Sequence, residues 1–223
     1  MERMGGTLPT FPQQQVLWKR WDVDRSGPKC RGAAVIGKDA RVPDTDQADH
    51  QPLELNLPRM QDANQSYASV SNRPVLSPRP AKRLCILTCM DARLDLFGAL
   101  GLSPGDAHIL RNAGGRASTD AIRSLVLSAH HLGTREFGVI HHTKCGLYQV
   151  SNQAIWDGVT NATGADASHI DFLPFDDLEA SVRQDVDEIV GCGLLPADGV
   201  VWGATFDVDK GTLTVVVPPT PLA

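Results

Sequence analysis

At 223 residues, with a formal net charge of -5 and no long run of Lys or Arg, the chain suits one ordinary domain plus an extension, and its charge argues against a nucleic-acid or anionic-membrane partner. No segment approaches the ~20 consecutive apolar residues of a membrane span, and "MERMGGTLPTFPQQQ" lacks the apolar core of a secretory signal. The expected compartment is the cytoplasm and the expected partner a small molecule or another protein. Five cysteines, Cys30, Cys85, Cys89, Cys145 and Cys192, form an odd set at irregular spacing, so metal or nucleophile chemistry is a better use for some of them than disulfides.

Residues 1–62 are rich in Pro, Gly, Asp and Gln and read as a low-complexity or disordered extension; residues 63–223 read as the folded domain. A short cluster at Val16, Leu17, Trp18 and Trp21 is the exception, and the two tryptophans could anchor an arm on a partner subunit. Because apolar periodicity is missing before Met60, a native start at Met60 is the other expectation. Strands are expected at "LCILT" from Leu84, "AHILR" from Ala107, "FGVIHH" from Phe137 and "VVWGATFDV" from Val200. Between the second and third, Ile122, Leu125, Val126, Ala129 and Leu132 recur at helical spacing, with Ser118, Thr119 and Asp120 as caps and Gly133 as the stop. Shorter helices are expected over Leu94–Leu100 and Asp176–Val190, the charged Arg183, Asp185, Asp187 and Glu188 forming the solvated face of the latter. Leu147–Phe175 reads as an excursion with a short helix, outside the core. "DVDKGTLTVVV" turns the chain into an antiparallel strand at Leu213–Val217. The alternation predicts an α/β fold: a four-stranded, mainly parallel sheet flanked by helices, with a C-terminal antiparallel hairpin strand.

In such sheets ligands gather beyond the carboxyl ends of the strands. Cys89, Asp91 and Arg93 follow the first strand, "RNAGG" (Arg111–Gly115) the second and "HHTKCG" (His141–Gly146) the third. Cys89, His142 and Cys145 make a Cys2His set suited to tetrahedral zinc with one open position. His141 is the only nearby fourth ligand, but successive side chains of a strand point to opposite faces, so one histidine of the pair packs away. "RNAGG" could cradle an anion by its backbone N–H groups, although a tight strand-to-helix turn is the simpler reading. Cys85 reads as a buried small residue and Cys192 as part of a turn. His108 reads as structural, and His130 and His131 as complements to a helix C-terminus. A phosphatase-type loop would need Arg where Asp95 stands, and a rhodanese-type carrier would leave Cys145 idle.

"CMDAR", "RNAGG" and "HHTKCG", in this order and separated by a helix, resemble the β-class carbonic anhydrases, in particular a small bacterial branch similar also to carbonyl sulfide and carbon disulfide hydrolases. The resemblance runs from about Tyr67 to Pro218. It implies that Cys89, His142 and Cys145 bind zinc, that Asp91 and Arg93 form a catalytic dyad, and that the chain works as a homodimer or dimer of dimers. The implied reaction is reversible hydration of carbon dioxide to bicarbonate by a zinc-activated hydroxide, the metal lowering the pKa of its water from 15.7 toward ~7. Hydrolysis of carbonyl sulfide or carbon disulfide at the same site is the alternative. A structural-zinc binding protein without turnover is the alternative of another class, and it leaves Asp91 and Arg93 without a purpose.

Overall fold

A computed structural model describes residues 55–70 and 75–222. The expectations for the Trp18 and Trp21 cluster, Cys30 and the rest of residues 1–54 lie outside the described residues. Helix α1 (Leu57–Ser69) crosses the expected boundary after residue 62 and buries none of its side chains. The compact unit Ser66–Ala223 carries the sheet.

Its elements follow in the order β1 (Leu84–Cys89), α2 (Leu96–Leu100), β2 (Ala107–Asn112), a 3-10 turn (Ala113–Gly115), α3 (Thr119–Leu132), β3 (Glu136–His142), α4 (Asn152–Thr163), α5 (Leu178–Gly191), β4 (Val200–Asp207) and β5 (Thr212–Pro221). The sheet order is β2-β1-β3-β4-β5, the first four strands mutually parallel and β5 antiparallel to β4. The hairpin strand is a full member, so the sheet has five strands rather than four. It runs past the expected Val217 to Pro221, because an edge strand tolerates the prolines at 218, 219 and 221 that a central strand would exclude.

Burial explains why β1 is an unbroken apolar run. It lies between β2 and β3 and is covered on both faces, so no polar alternation survives in "LCILTC". Cys85 and Leu87 join Phe137, Val139 and Val201 beneath Leu125 and Ala129 of α3 and Val186 and Ile189 of α5. Ile86, Ile140 and Phe206 form a second cluster with Leu94, Leu147, Phe175 and the two site cysteines. Ser118 caps α3 by accepting the N–H of Ala121, and Gly133 ends it in the left-handed conformation at φ 80°. The helix after β1 begins later than expected, at Leu96, because the Asp95 carboxylate caps it through the N–H of Gly98.

Two expectations need correction. The excursion after Gly146 enters the core at both ends, where Leu147 and Phe175 are buried and a parallel bridge joins Tyr148 to Phe175. Asp185 does not lie on a solvated face. It is 4% exposed and accepts from Arg116, itself 3% exposed, at 2.9 Å (Nε to Oδ2) and 3.1 Å (Nη2 to Oδ1). Arg116 also donates to the Leu173 carbonyl and to Gln184 Oε1, which ties the turn after β2 to α5 and to the end of the excursion. A charge this deep is tolerable only when paired. Asp185→Ala is therefore expected to lower the unfolding free energy by about 3–5 kcal/mol, read as a shift of the urea midpoint.

Candidate functional site

β1 and β3 are neighbours in register, Thr88 facing Ile140, so both strands deliver their last residues to one edge of the sheet. Cys89 ends β1 and His142 ends β3, and the turn through Thr143 and Lys144 returns Cys145 to them. The ligand atoms of Cys89, His142 and Cys145 all lie within 4.8 Å of one another, and the two sulfurs are 4.0 Å apart. All three residues are buried.

The His142 ring is oriented from behind. Its Nδ1–H donates to the Thr143 carbonyl at 2.8 Å, which leaves the Nε2 lone pair facing the sulfurs. That Nε2 is buried and has no hydrogen-bond partner among the described residues. A buried, unpartnered acceptor beside two sulfurs is the arrangement a soft or borderline metal ion completes. The electrostatics agree. Burial opposes a charge on His142, yet the Cys89 sulfur beside the ring, the bond to the Thr143 carbonyl and the charge of Asp91 outweigh it and raise its pKa.

The two sulfurs act as a pair. The hydrogen bond between them favours a first thiolate and opposes a second, and burial opposes both. Cys85, by contrast, is simply buried. Its pKa rises to about 11 and it takes no part in the site.

Asp91 stands at the mouth. Arg93 donates from Nε to Oδ1 at 2.9 Å and from Nη2 to Oδ2 at 2.7 Å, and its backbone N–H adds a third bond at 2.9 Å. This fork holds the Asp91 carboxyl well below the usual carboxylate range, Arg93 being the largest cause. Arg93 Nη2 also donates to the Lys144 carbonyl at 2.9 Å, which joins the dyad to the turn carrying Cys145. Asp91 Oδ2 is 3.8 Å from His142 Nε2.

His141 packs away from the cluster. Its Nε2 pairs with the Gly115 carbonyl at 3.3 Å and lies 3.0 Å from Asp185 Oδ2, Nδ1 shares a hydrogen bond with Ser181 Oγ at 2.7 Å, and the ring stacks on Phe175. The "RNAGG" segment is a tight turn, with Gly114 and Gly115 at φ 76° and 74°. A Cβ on Gly115 would sit 2.9 Å from the backbone nitrogen of Cys89, so glycine lets this turn pack directly against the end of β1. His108 is bonded to Ser128 and to the Pro78 carbonyl, and Cys192 caps α5, as structural residues do. Sequence reasoning missed Arg111, Arg116 and Asp185. For Asp185 a signal existed, since it shares a helical stripe with Val182, Val186 and Ile189.

Residues 84–171 match a family model described as carbonic anhydrase. Beta-carbonic anhydrase 1 of Mycobacterium tuberculosis is 36% identical over 157 residues, covering 70% of this chain and 94% of that protein. The chain belongs to the β-carbonic anhydrase family. The crystal structure of carbonic anhydrase from Streptococcus mutans superposes with a TM-score of 0.70 at 43% identity, covering 74% of this chain and 99% of that one. A carbon disulfide hydrolase of Acidithiobacillus thiooxidans is 31% identical over 156 residues, 59% of this chain and 71% of that protein. The family thus includes proteins named for two different substrates. For this β-carbonic anhydrase family member, the unpartnered Nε2 and the two sulfurs give a direct test. The parent is expected to hold about one metal ion per chain, and Cys89→Ser, His142→Ala and Cys145→Ser are each expected to lose it. Elemental analysis finding near-stoichiometric metal in all three variants would sink the assignment.

Proposed function

We propose that this chain is a zinc-dependent carbonic anhydrase that interconverts carbon dioxide and bicarbonate, with Cys89, His142 and Cys145 as the metal ligands and Asp91 and Arg93 as the catalytic dyad. The observation that carries the reading is the buried, unpartnered Nε2 of His142 facing two sulfurs, with an ion-paired carboxylate 3.8 Å away. One imidazole and two thiolates suit zinc, and three protein ligands leave the open position of a catalytic rather than a structural site. When bound there, zinc supplies the nucleophile by bringing the pKa of water toward neutrality. Two thiolates offset the charge of the ion, so activity should rise with pH above neutrality.

The chain's own residues do the rest. Asp91, kept ionised by Arg93, can only accept a hydrogen bond, so it takes the proton side of the attacking group and turns its lone pair toward the carbon of the substrate. Arg93 holds the carboxylate by two parallel bonds, which prevents it from swinging toward the sulfurs. A non-catalytic structural-zinc protein has no use for such a dyad. A second reading, hydrolysis of carbonyl sulfide or carbon disulfide at the same site, is favoured by the relatives named carbon disulfide hydrolase. We take residues 63–223 as the catalytic domain and residues 1–62 as an extension. We place the enzyme in the cytoplasm as a homodimer or dimer of dimers; no described helix is long and apolar enough to cross a membrane.

Stopped-flow carbon dioxide hydration, run beside a carbonyl sulfide assay on zinc-loaded protein, is expected to give the higher kcat/KM for carbon dioxide. Turnover of carbonyl sulfide alone would select the second reading, and turnover of neither the structural one. Arg93→Ala is expected to keep its zinc and lose turnover, because Asp91 is then free to block the open position. Full activity with an unchanged cobalt spectrum in that variant would remove the gating role of Arg93.

A further inference from the structure

We propose that Arg111 is a positioning residue for the reaction, clamping the main chain on both sides of Met90 and thereby setting where the Asp91 carboxylate stands. The inference rests on the reading of Asp91 as the group that aims the attacking water. It starts from a question that packing leaves open. Between Cys89, at 5% exposure, and Leu94, at 3%, the segment has no buried apolar anchor, and Met90 is 67% exposed. Something other than the core must therefore hold Asp91.

Hydrogen bonds from β2 supply the hold. Arg111 Nε donates to the Cys89 carbonyl at 3.0 Å and Nη2 to the Asp91 carbonyl at 2.6 Å. Between these, the Met90 N–H donates to the Asn112 carbonyl at 2.8 Å. Consecutive residues of β2 thus grip the Cys89 carbonyl, the Met90 N–H and the Asp91 carbonyl. The Asp91 carbonyl also accepts the Leu94 N–H at 3.2 Å, so the arginine meets the turn where the chain reverses. Arg93 fixes the carboxylate relative to its own backbone, but that backbone is itself fixed by Arg111. Only a planar fork spans both carbonyls; a lysine at this place would reach one of them. Arg111 ends on main-chain oxygens and touches neither sulfur nor carboxylate, so its effect passes through Asp91.

The test uses the full-length, zinc-loaded protein. Arg111→Ala is expected to keep zinc stoichiometry and to lower kcat about 100-fold, the scale of a 1 Å misplacement of a catalytic group. Arg111→Lys should fall between the parent and the alanine variant, and guanidinium chloride at tens of millimolar, below denaturing concentration, should restore part of the activity of Arg111→Ala. In the cobalt-substituted protein, Arg111→Ala should shift the visible band, because the released Asp91 moves relative to the metal ligands. This readout needs no turnover, so it judges Arg111 even if the parent proves inactive toward carbon dioxide. Parent-like kcat and cobalt spectrum in Arg111→Ala overturn the proposal. So does a loss of activity that tracks lost zinc, or one that neither guanidinium nor Arg111→Lys recovers, since either marks a purely structural role.

Discussion

Parallel pairing of β1 with β3 is the constraint on which the site depends. A thiol at position 89 and an imidazole at position 142 are 53 residues apart in the chain, and only the register that sets Thr88 against Ile140 brings both to the same edge. The same edge receives the turn after β2, whose two left-handed glycines allow it to lie against the Cys89 backbone. A slip of one residue would turn His142 into the α5 side and His141 toward the sulfurs. The buried bonds of His141 to the Gly115 carbonyl and Ser181, and its contact with Asp185, oppose that slip, since they would be lost without replacement.

The interior accepts an unusual amount of charge for this purpose. Arg116 and Asp185 are both nearly inaccessible, and together they join the turn after β2, the end of the excursion, α5 and, through His141, β3. Such pairs seldom add much stability compared with an apolar core of the same volume, but breaking one is costly. Their geometry is directional, which an apolar contact is not. That property suits a place where strand ends must hold their donors within hydrogen-bonding tolerances.

Two kinds of hold therefore meet at the sheet edge. The sulfurs and the imidazole sit on strand ends and a tight turn backed by the core, and they are buried. The dyad lies further out, on a segment whose exposed Met90 contributes no packing, and is held by charge-assisted bonds from Arg93 and Arg111. The inner group is placed by burial and the outer group by electrostatics.

Much of this was legible in the residues themselves. Apolar runs of strand length alternating with helical periodicity specified an α/β fold, because burial on both faces removes polar alternation from β1 while α3 keeps its stripe and caps. The spacing of Cys89, Asp91, Arg93, His142 and Cys145 named the candidate chemistry, since these residue types at strand ends have few structural uses. What the sequence alone did not yield was every interaction whose partner is distant in the chain. Asp185 looks like one charge among several on a helix, and its burial follows only once α5 packs over β3 and meets Arg116 from the turn after β2. Leu147 and Phe175 lie in a polar segment, and they become core because Tyr148 bridges Phe175 and closes the excursion on itself. Arg111 reads as an ordinary strand residue until β2 is laid beside β1. Local pattern is set by the period of the element and is visible in a window of residues. The identity of a partner depends on strand order and register, which are properties of the assembled fold.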